Sequence, residues 1–492
     1  MRLMKKTRTR FAPSPTGYMH IGNLRTALFE YLIAKHDGGD FLLRIEDTDQ
    51  ERQVEGAEEM IYKTLKECGL NWDEGPDIGG DFGPYIQSER LPMYKGYAEK
   101  LIELGGAHYC FCSEEEIQAQ RAEAESLGLS FKFEDPCKHL SEEEIQARLD
   151  AGEPYVIRQT IRNVGETSFE DEVYGHIEFD GDLLDEQILI KSDGFPTYNF
   201  ANIIDDHTME ISHVVRGNEY LSSTPKYNLI YDAYGWERPH YVHVPPVMKD
   251  EQHKLSKRNG DASFQDLLAK GYLPEAIINY LALLGWSPET EQEIFSMDEL
   301  IEQFRIDRIS KSPAIFDIDK LTWMNGVYLR NMDEQTYFET VRPYLEKAVK
   351  GNYDLKEIAR IIQPRIDHLD QIEDSVDFFD MLADYDLEMY KHKKMKTTKE
   401  IALKSLYAVQ EALKAQDDWS GEEVIHDTLM ALPKQLEMKN GQVLWPVRTA
   451  LTGKQFTPGG AIEIAYILGK DESLRRIAIG IERLEKELNE QA

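Results

Sequence analysis

The sequence predicts a multidomain chain, α/β over its first half and all-helical over its C-terminal third. Three observations carry that prediction. Residues 7 to 46 read as strand, glycine loop, helix and strand; a helix-rich acidic stretch with paired cysteines runs from about 92 to 194; and almost everything after residue 335 has helical periodicity. At 492 residues the chain exceeds one core and suits roughly three to five domains.

Thr7 to Ala12 reads as the first strand, followed by the loop Pro13-Ser14-Pro15-Thr16-Gly17-Tyr18-Met19-His20-Ile21-Gly22-Asn23. Asn23 to Lys35 places Leu24, Ala27, Leu28, Tyr31 and Leu32 on one helical face, and Gly38-Gly39 ends that helix. Phe41 to Ile45 is a nearly continuous apolar run, the mark of a buried parallel strand. A ligand loop then sits at the carboxyl end of the first strand, where a helix begins and its unpaired amides near Gly22 and Asn23 suit a phosphate, with His20 beside them.

Beyond residue 92 the helix-rich segments give way to strand-like stretches at Tyr155 to Ile161 and His176 to Phe179, which we read as an insertion. The first fold resumes with Ile188 to Ile190 and Tyr198 to Ile204, and Val214-Val215 reads as another core strand. Ser113 to Ala119 recurs as Ser141 to Ala147, each a capping box with serine at the N-cap and glutamate three residues on. Just before these two helix starts stand Cys110 and Cys112, then Cys137 and His139. Three thiolates and an imidazole match a closed, structural zinc site, while Cys68 reads as core.

Farther along, Lys254-Leu255-Ser256-Lys257-Arg258 supplies ammonium groups with Gly260 just after, a composition suited to a mobile loop closing on a triphosphate. Phe264 to Leu284 is helical in pattern, as are Ile358, Ile361, Ile362, Ile366 and Leu369, then Leu403, Leu406, Val409 and Leu413. Lys+Arg of 56 against Asp+Glu of 90 leaves a charge of -34, which opposes a nucleic-acid partner unless the bases gather on one face. Met1 to Arg10, Lys391 to Lys404 and Leu474 to Arg483 are basic or mixed, so a segregated surface is expected. Few cysteines, no signal-peptide core and no run of membrane-spanning length give the expectation of a cytoplasmic protein without a membrane partner; no long coiled-coil heptad is present, so a monomer is expected.

The two basic signatures together resemble the HIGH and KMSKS elements of class I aminoacyl-tRNA synthetases. Arg10 to Gly17, Arg44 to Asp49, Trp72 to Pro76, Gln87 to Arg90, Pro196 to Asn202 and Asp205 to His207 resemble the glutamyl/glutaminyl branch of that class. Phe316-Asp317 and Lys320 to Gly326 are similar to its linker, and Trp445 to Lys454 to the helical anticodon-binding domain of bacterial glutamyl-tRNA synthetases. Two positions depart from the generic motifs: Asn23 replaces the second histidine and Arg258 the final serine.

The resemblance implies a Rossmann-type catalytic domain in two halves, 1–91 and 195–250, around an inserted acceptor-binding zinc domain, 92–194. It further implies a KMSKS-like loop with a stem-contact domain, 251–335, and two helical anticodon-binding subdomains, 336–395 and 396–492. Catalytic roles fall to His20, Lys254 and Lys257; ATP contacts to Pro13, Thr16, Gly17, His20, Gly22, Asn23 and the segment Lys254 to Arg258. Arg10, Ser14, Glu46, Tyr198, Asn202 and Arg216 form the implied glutamate pocket, whose two arginines, carboxylate and tyrosine match a ligand with two carboxylates and an ammonium. Arg365 is the candidate anticodon contact, and a helix-surface cation is its plain alternative.

The implied reaction joins glutamate to the α-phosphorus of ATP, with Mg2+ on the phosphates, releasing pyrophosphate. The terminal ribose hydroxyl of tRNA then attacks the activated carbonyl and AMP leaves. The helical C-terminus counts against a glutaminyl enzyme, whose anticodon-binding part is β-barrel. Nothing in the sequence separates an enzyme charging only tRNA(Glu) from one that also charges tRNA(Gln).

Overall fold

The computed structural model describes residues 6–49, 53–129, 131–161, 165–253, 255 and 263–491. Lys254, Ser256, Lys257 and Arg258 therefore lie outside the described residues. The chain forms two compact units, residues 1–267 with 274–317, and residues 268–273 with 318–492.

In the first unit β1 (Arg8–Phe11) and β2 (Asp40–Leu43) pair in parallel, Arg10 opposite Leu42, around helix α1 (Ile21–His36). The expected strand, helix, strand unit is present. Its crossover is tight: a Cβ on Gly39 would lie 2.0 Å from the Thr7 carbonyl oxygen, which accepts the Asp40 amide at 2.9 Å. Only glycine lets the chain turn back this close to the strand it joins.

Helices α2 (Ala57–Glu67) and α3 (Leu91–Glu103) lead to β3 (Ala107–Cys110), α4 (Glu114–Ser126), α5 (Glu142–Asp150), β4 (Val156–Gln159), β5 (Glu166–Asp171), β6 (Gly175–Asp180) and β7 (Ile188–Ile190). Both expected capping boxes form. Ser113 Oγ accepts the Glu116 amide at 3.2 Å while Glu116 accepts the Ser113 amide at 2.7 Å, and Ser141 and Glu144 repeat the pair at 3.2 and 2.8 Å. Ile188 to Ile190 does not resume the first fold. It adds antiparallel to β4, with Ile190 opposite Ile157, in a sheet ordered β3-β4-β7. The reason is packing: Leu189, Ile190 and Ile157 share one core with Phe200, Ile204 and Tyr227.

Helix α6 (Tyr198–Thr208), β8 (His213–Gly217), α7 (Thr224–Tyr234) and β9 (His240–Val244) follow. Strands β8 and β9 pair in parallel in a sheet ordered β6-β5-β9-β8, so β5 and β6 extend this sheet through Asp171 opposite Tyr241. The Ser212 amide donates to the Arg8 carbonyl at 3.0 Å and brings β1 alongside β8. The carboxyl ends of β1, β2 and β8 thus deliver Arg10, Glu46 and Arg216 to one region.

The described elements of the second unit's long C-terminal segment are helical. Ile358 and Ile362 are fully buried, as are Leu406, Val409 and Leu413 of Lys399–Ala415, the helix that packs on Asn440–Thr452, while Leu403 of the same predicted stripe is only partly buried. Arg476, in the last helix, is also fully buried: it donates to the carbonyls of Phe378, Phe379 and Leu451 at 2.6 to 2.9 Å and to Glu472 at 2.6 Å. The six residues 268–273 belong here too, with Tyr272 Oη 2.7 Å from Thr322 Oγ1, the Leu273 amide donating to Asn325 Oδ1 at 2.8 Å and the Leu369 amide to the Gly271 carbonyl at 3.0 Å.

Candidate active site

His20 is the N-cap of α1. Its Nδ1 accepts the Gly22 amide at 3.0 Å, which places the ring hydrogen on Nε2. The Gly22 amide, expected to face phosphate, is thereby engaged by the imidazole instead. Thr16, Ser14 and Asn23 are exposed around it, and Gly17 holds a φ of +108°, a conformation open to glycine. Across this loop His20 bridges Ser263, just beyond the second signature, and the Phe264 amide donates to the Met19 carbonyl at 3.4 Å, so the chain that follows that signature lies against the first one.

A buried charge cluster lies beside the loop. Arg10 donates Nε and Nη2 to Asp206 at 2.8 and 3.2 Å, and Nη1 to Glu30 at 3.2 Å and the Val215 carbonyl at 3.4 Å. Arg44 donates to Asp206 at 2.9 Å and to Glu46 at 3.0 Å. Three acids, Glu30, Glu46 and Asp206, thus face two arginines. Asp205 extends the cluster, its Oδ2 3.7 Å from Arg44 Nε while Arg90 and Tyr94 donate to its Oδ1 at 2.6 and 2.9 Å, so that with Arg90 counted four acids face three arginines.

The surplus acid shows in the ionisation. Burial pushes Glu46 up to about 7, although Arg44 and Arg10 pull it down. Glu30 is raised well above the usual range, again by burial outweighing Arg10. Burial acts on Asp206 in the same sense, yet Arg10 and Arg44 together hold it below the ordinary carboxylate value. Glu46 and Glu30 are thus the two carboxyls of the cluster whose ionised forms a further positive charge would favour.

Helix α6 presents Tyr198 and, one turn on, Asn202 from the same face. Asn202 is 2% exposed and its Nδ2 has no hydrogen-bond partner; Tyr198 is half-buried, its ring 5.6 Å from that of Tyr220, and burial raises its hydroxyl well above the usual value. Arg216 at the end of β8 is 6% exposed and pairs with no acid among the described residues. Its Nε donates to His243 Nε2 at 3.1 Å and its Nη2 to Thr224 Oγ1 at 2.8 Å, while Tyr227, Tyr220 and Tyr241 surround the guanidinium at 4.8, 5.2 and 5.5 Å. Aromatic faces temper a buried cation without neutralising it, so an anion is the missing partner.

Sequence reasoning gave Arg44, Asp206 and Glu30 no site role. Arg44 and Asp206 lie inside the family-like segments, and Glu30 is an acid beside the apolar face of α1, a signal that a buried arginine stands opposite.

The cysteine cluster forms at the end of β3 and the turn Pro136–His139. Cys110, Cys112, Cys137 and Asp135 bring their donor atoms within 4.8 Å of one another, with Cys112 and Cys137 sulfurs 3.7 Å apart. A tetrahedral zinc with sulfur at about 2.3 Å spaces its ligands by about 3.8 Å, so the thiols fit that metal. His139, expected as the fourth ligand, is not in the cluster: it is exposed at the end of the turn, and Asp135 stands in its place. Asp135 is itself engaged by His108 at 2.9 Å and Arg158 at 3.5 Å. Arg365, the candidate anticodon contact, is exposed in the helical unit, its amide donating to the Ile362 carbonyl at 2.8 Å.

Among the described residues no helix is long and apolar enough to cross a membrane. A family model described as tRNA synthetases class I (E and Q), catalytic domain, matches residues 6–323, and one described as anticodon binding domain matches residues 336–481. The chain is 60% identical over 482 residues to the glutamate–tRNA ligase of Clostridium botulinum strain Hall, covering 98% of this chain and 99% of that one. To that of Clostridium tetani it is 59% identical over 485 residues, covering 99% of each. The solved structure of a glutamate tRNA ligase from Elizabethkingia meningosepticum in complex with its amino acid is similar at a TM-score of 0.89 and 35% identity, over 98% of this chain and 100% of that one.

Proposed function

The chain belongs to the class I tRNA synthetases of the glutamate and glutamine branch and is a glutamate–tRNA ligase, and from that premise we propose how its residues divide the work. Glutamate binds between the charge cluster and Arg216. The observation that carries this reading is a pair of opposite deficits: one acid in excess around Arg10, Arg44 and Arg90, and a buried Arg216 with no acid among the described residues. An amino acid with an ammonium at one end and a second carboxylate at the other satisfies both.

In this reading Glu46 receives the ammonium, Arg216 the side-chain carboxylate, and Tyr198 and the unpartnered Asn202 amide donate to the carboxylates. The remaining Nη2 hydrogen of Arg10 and the exposed Ser14 hydroxyl complete the pocket. The α-carboxylate then attacks the α-phosphorus of ATP. His20 contributes an oriented neutral donor at Nε2, and helix-terminal amides, with Lys254 and Lys257, stabilise the charge that develops on the phosphates. ATP brings Mg2+ with it as counter-ion. The protein supplies position and charge, with no nucleophile of its own.

Zinc is the metal the three thiols suit, in a structural role because the protein fills its coordination. A second reading of the fourth ligand rests on Asp135 already serving His108 and Arg158: an acid so engaged suits an outer position, and rotation of the exposed His139 would then complete the site. Zinc content of Asp135→Asn and His139→Ala separates the two. A cytoplasmic monomer that reads the anticodon with its helical unit, Arg365 included, completes the proposal.

The test is ATP–pyrophosphate exchange with glutamate and tRNA each omitted in turn. Exchange should require glutamate, and Arg216→Gln should raise the KM for glutamate while leaving that for ATP unchanged. An unchanged glutamate KM removes Arg216 from the pocket.

A further inference from the structure

Arg216 needs more than a place to sit; its guanidinium must present the right edge. Two of its nitrogens are committed to neutral acceptors, and one of those acceptors is a histidine with no exposure to solvent. His243 Nε2 accepts from Arg216 Nε at 3.1 Å, while on the other side of the ring His243 Nδ1 lies 2.6 Å from Asp171 Oδ2. The two partners fix the tautomer: the hydrogen is on Nδ1, donated to the carboxylate, and the Nε2 lone pair is offered to the arginine.

Asp171 is itself 3% exposed and fixed from all sides. Its Oδ2 also accepts the His243 amide at 3.2 Å, and its Oδ1 accepts the amides of Val173 and Tyr174 at 3.0 and 2.8 Å. Thr224 Oγ1, Phe169 and Tyr241 close the remaining faces of the imidazole. Burial lowers the imidazole's proton affinity against the pull of Asp171, which agrees with a neutral ring between a carboxylate and a guanidinium.

We propose that Asp171 and His243 are positioning residues for substrate: a buried carboxylate, imidazole, guanidinium relay that locks Arg216 so that its free Nη1 edge faces the side-chain carboxylate of glutamate. The relay spans the sheet, since Asp171 ends β5 and His243 lies in β9. Of the three residues only Arg216 touches substrate. The proposal rests on the glutamate pocket placed above.

Two substitutions separate positioning from packing. His243→Asn keeps a donor near the Nδ1 position, so Asp171 stays satisfied, but offers Arg216 no acceptor. His243→Gln reaches the Nε2 position and keeps the acceptor. In tRNA-dependent ATP–pyrophosphate exchange, His243→Asn should raise the glutamate KM by roughly 10-fold or more, the loss of one bond to a charged group, while His243→Gln stays near wild type and neither changes the ATP KM. Equal elevation in both variants, no elevation in His243→Asn, or a parallel rise in ATP KM with a lowered thermal midpoint overturns the relay. Arg216→Gln run alongside tells the levels apart: if it leaves the glutamate KM unchanged, the pocket itself is misplaced; if it raises that KM while His243→Asn does not, the relay alone fails.

Discussion

Glutamate binding should weaken as the pH falls below neutrality, and Glu46 sets the size of the effect. The carboxyl is 5% exposed, and burial pushes it from the ordinary 4.5 to about 7. Only the ionised form pairs with an ammonium, and its fraction falls from about nine-tenths at pH 8 to about one-tenth at pH 6. The apparent KM for glutamate is the intrinsic value divided by that fraction, so it should rise about tenfold over the interval. Glu46→Gln should abolish the pH dependence and hold the KM high throughout, by roughly 10- to 100-fold, the loss of a charge-assisted hydrogen bond. The assay is exchange activity against glutamate concentration at pH 6, 7 and 8, with saturating ATP and tRNA. A flat wild-type profile, or a slope that survives in Glu46→Gln, refutes the reasoning. Stability should move the other way. The folded state keeps its proton to about pH 7 while the unfolded chain loses it near 4.5, so stability falls as pH rises through that window. At pH 8 Glu46→Gln should therefore be more stable than wild type, by up to about 3 kcal/mol.

Three other outcomes are expected. Replacing Cys112 by serine should reduce bound zinc, measured by elemental analysis, and lower the midpoint of thermal unfolding of the segment that carries it. Arg476→Leu takes the buried donor from the carbonyls of Phe378 and Leu451, while Phe379 keeps the Tyr353 hydroxyl and Glu472 keeps Arg475, and should cost about 2 to 4 kcal/mol, read by denaturant melting of the helical unit. Lys257→Ala should depress the exchange rate at saturating glutamate by on the order of 100-fold, as removal of a charge-stabilising group does, with little change in glutamate KM; equal loss in both parameters would assign the lysine to binding instead.

Legibility of the fold followed the range of the forces that make it. The strand, helix, strand unit could be read because its apolar spacing and its two glycines act over forty residues, and the capping boxes because they close within four. The pairing of Ile190 with Ile157 could not, since an apolar triplet fits either sheet until its neighbours are known. The site divides in the same way. Arg10, Glu46 and Arg216 were assigned through resemblance, but the surplus of acid that gives them chemical meaning comes from Glu30 and Asp206. The latter meets Arg10 across 196 positions, beyond any local pattern. Asp135 stands among the thiols with no spacing signature to announce it, whereas Cys-x-His at His139 has one, and zinc content of the two variants decides between them.

Residues 268–273 make the two compact units inseparable by a single break in the chain. A fragment beginning at Ile318 would inherit every helix of the C-terminal segment yet lack the six-residue clasp whose Leu273 amide and Gly271 carbonyl serve Asn325 and Leu369. Truncation or domain exchange at that boundary would expose an unfilled seam in one piece and leave an unhoused peptide in the other. Recombination between relatives at residue 317 therefore succeeds only where the donor of the helical body also supplies the clasp.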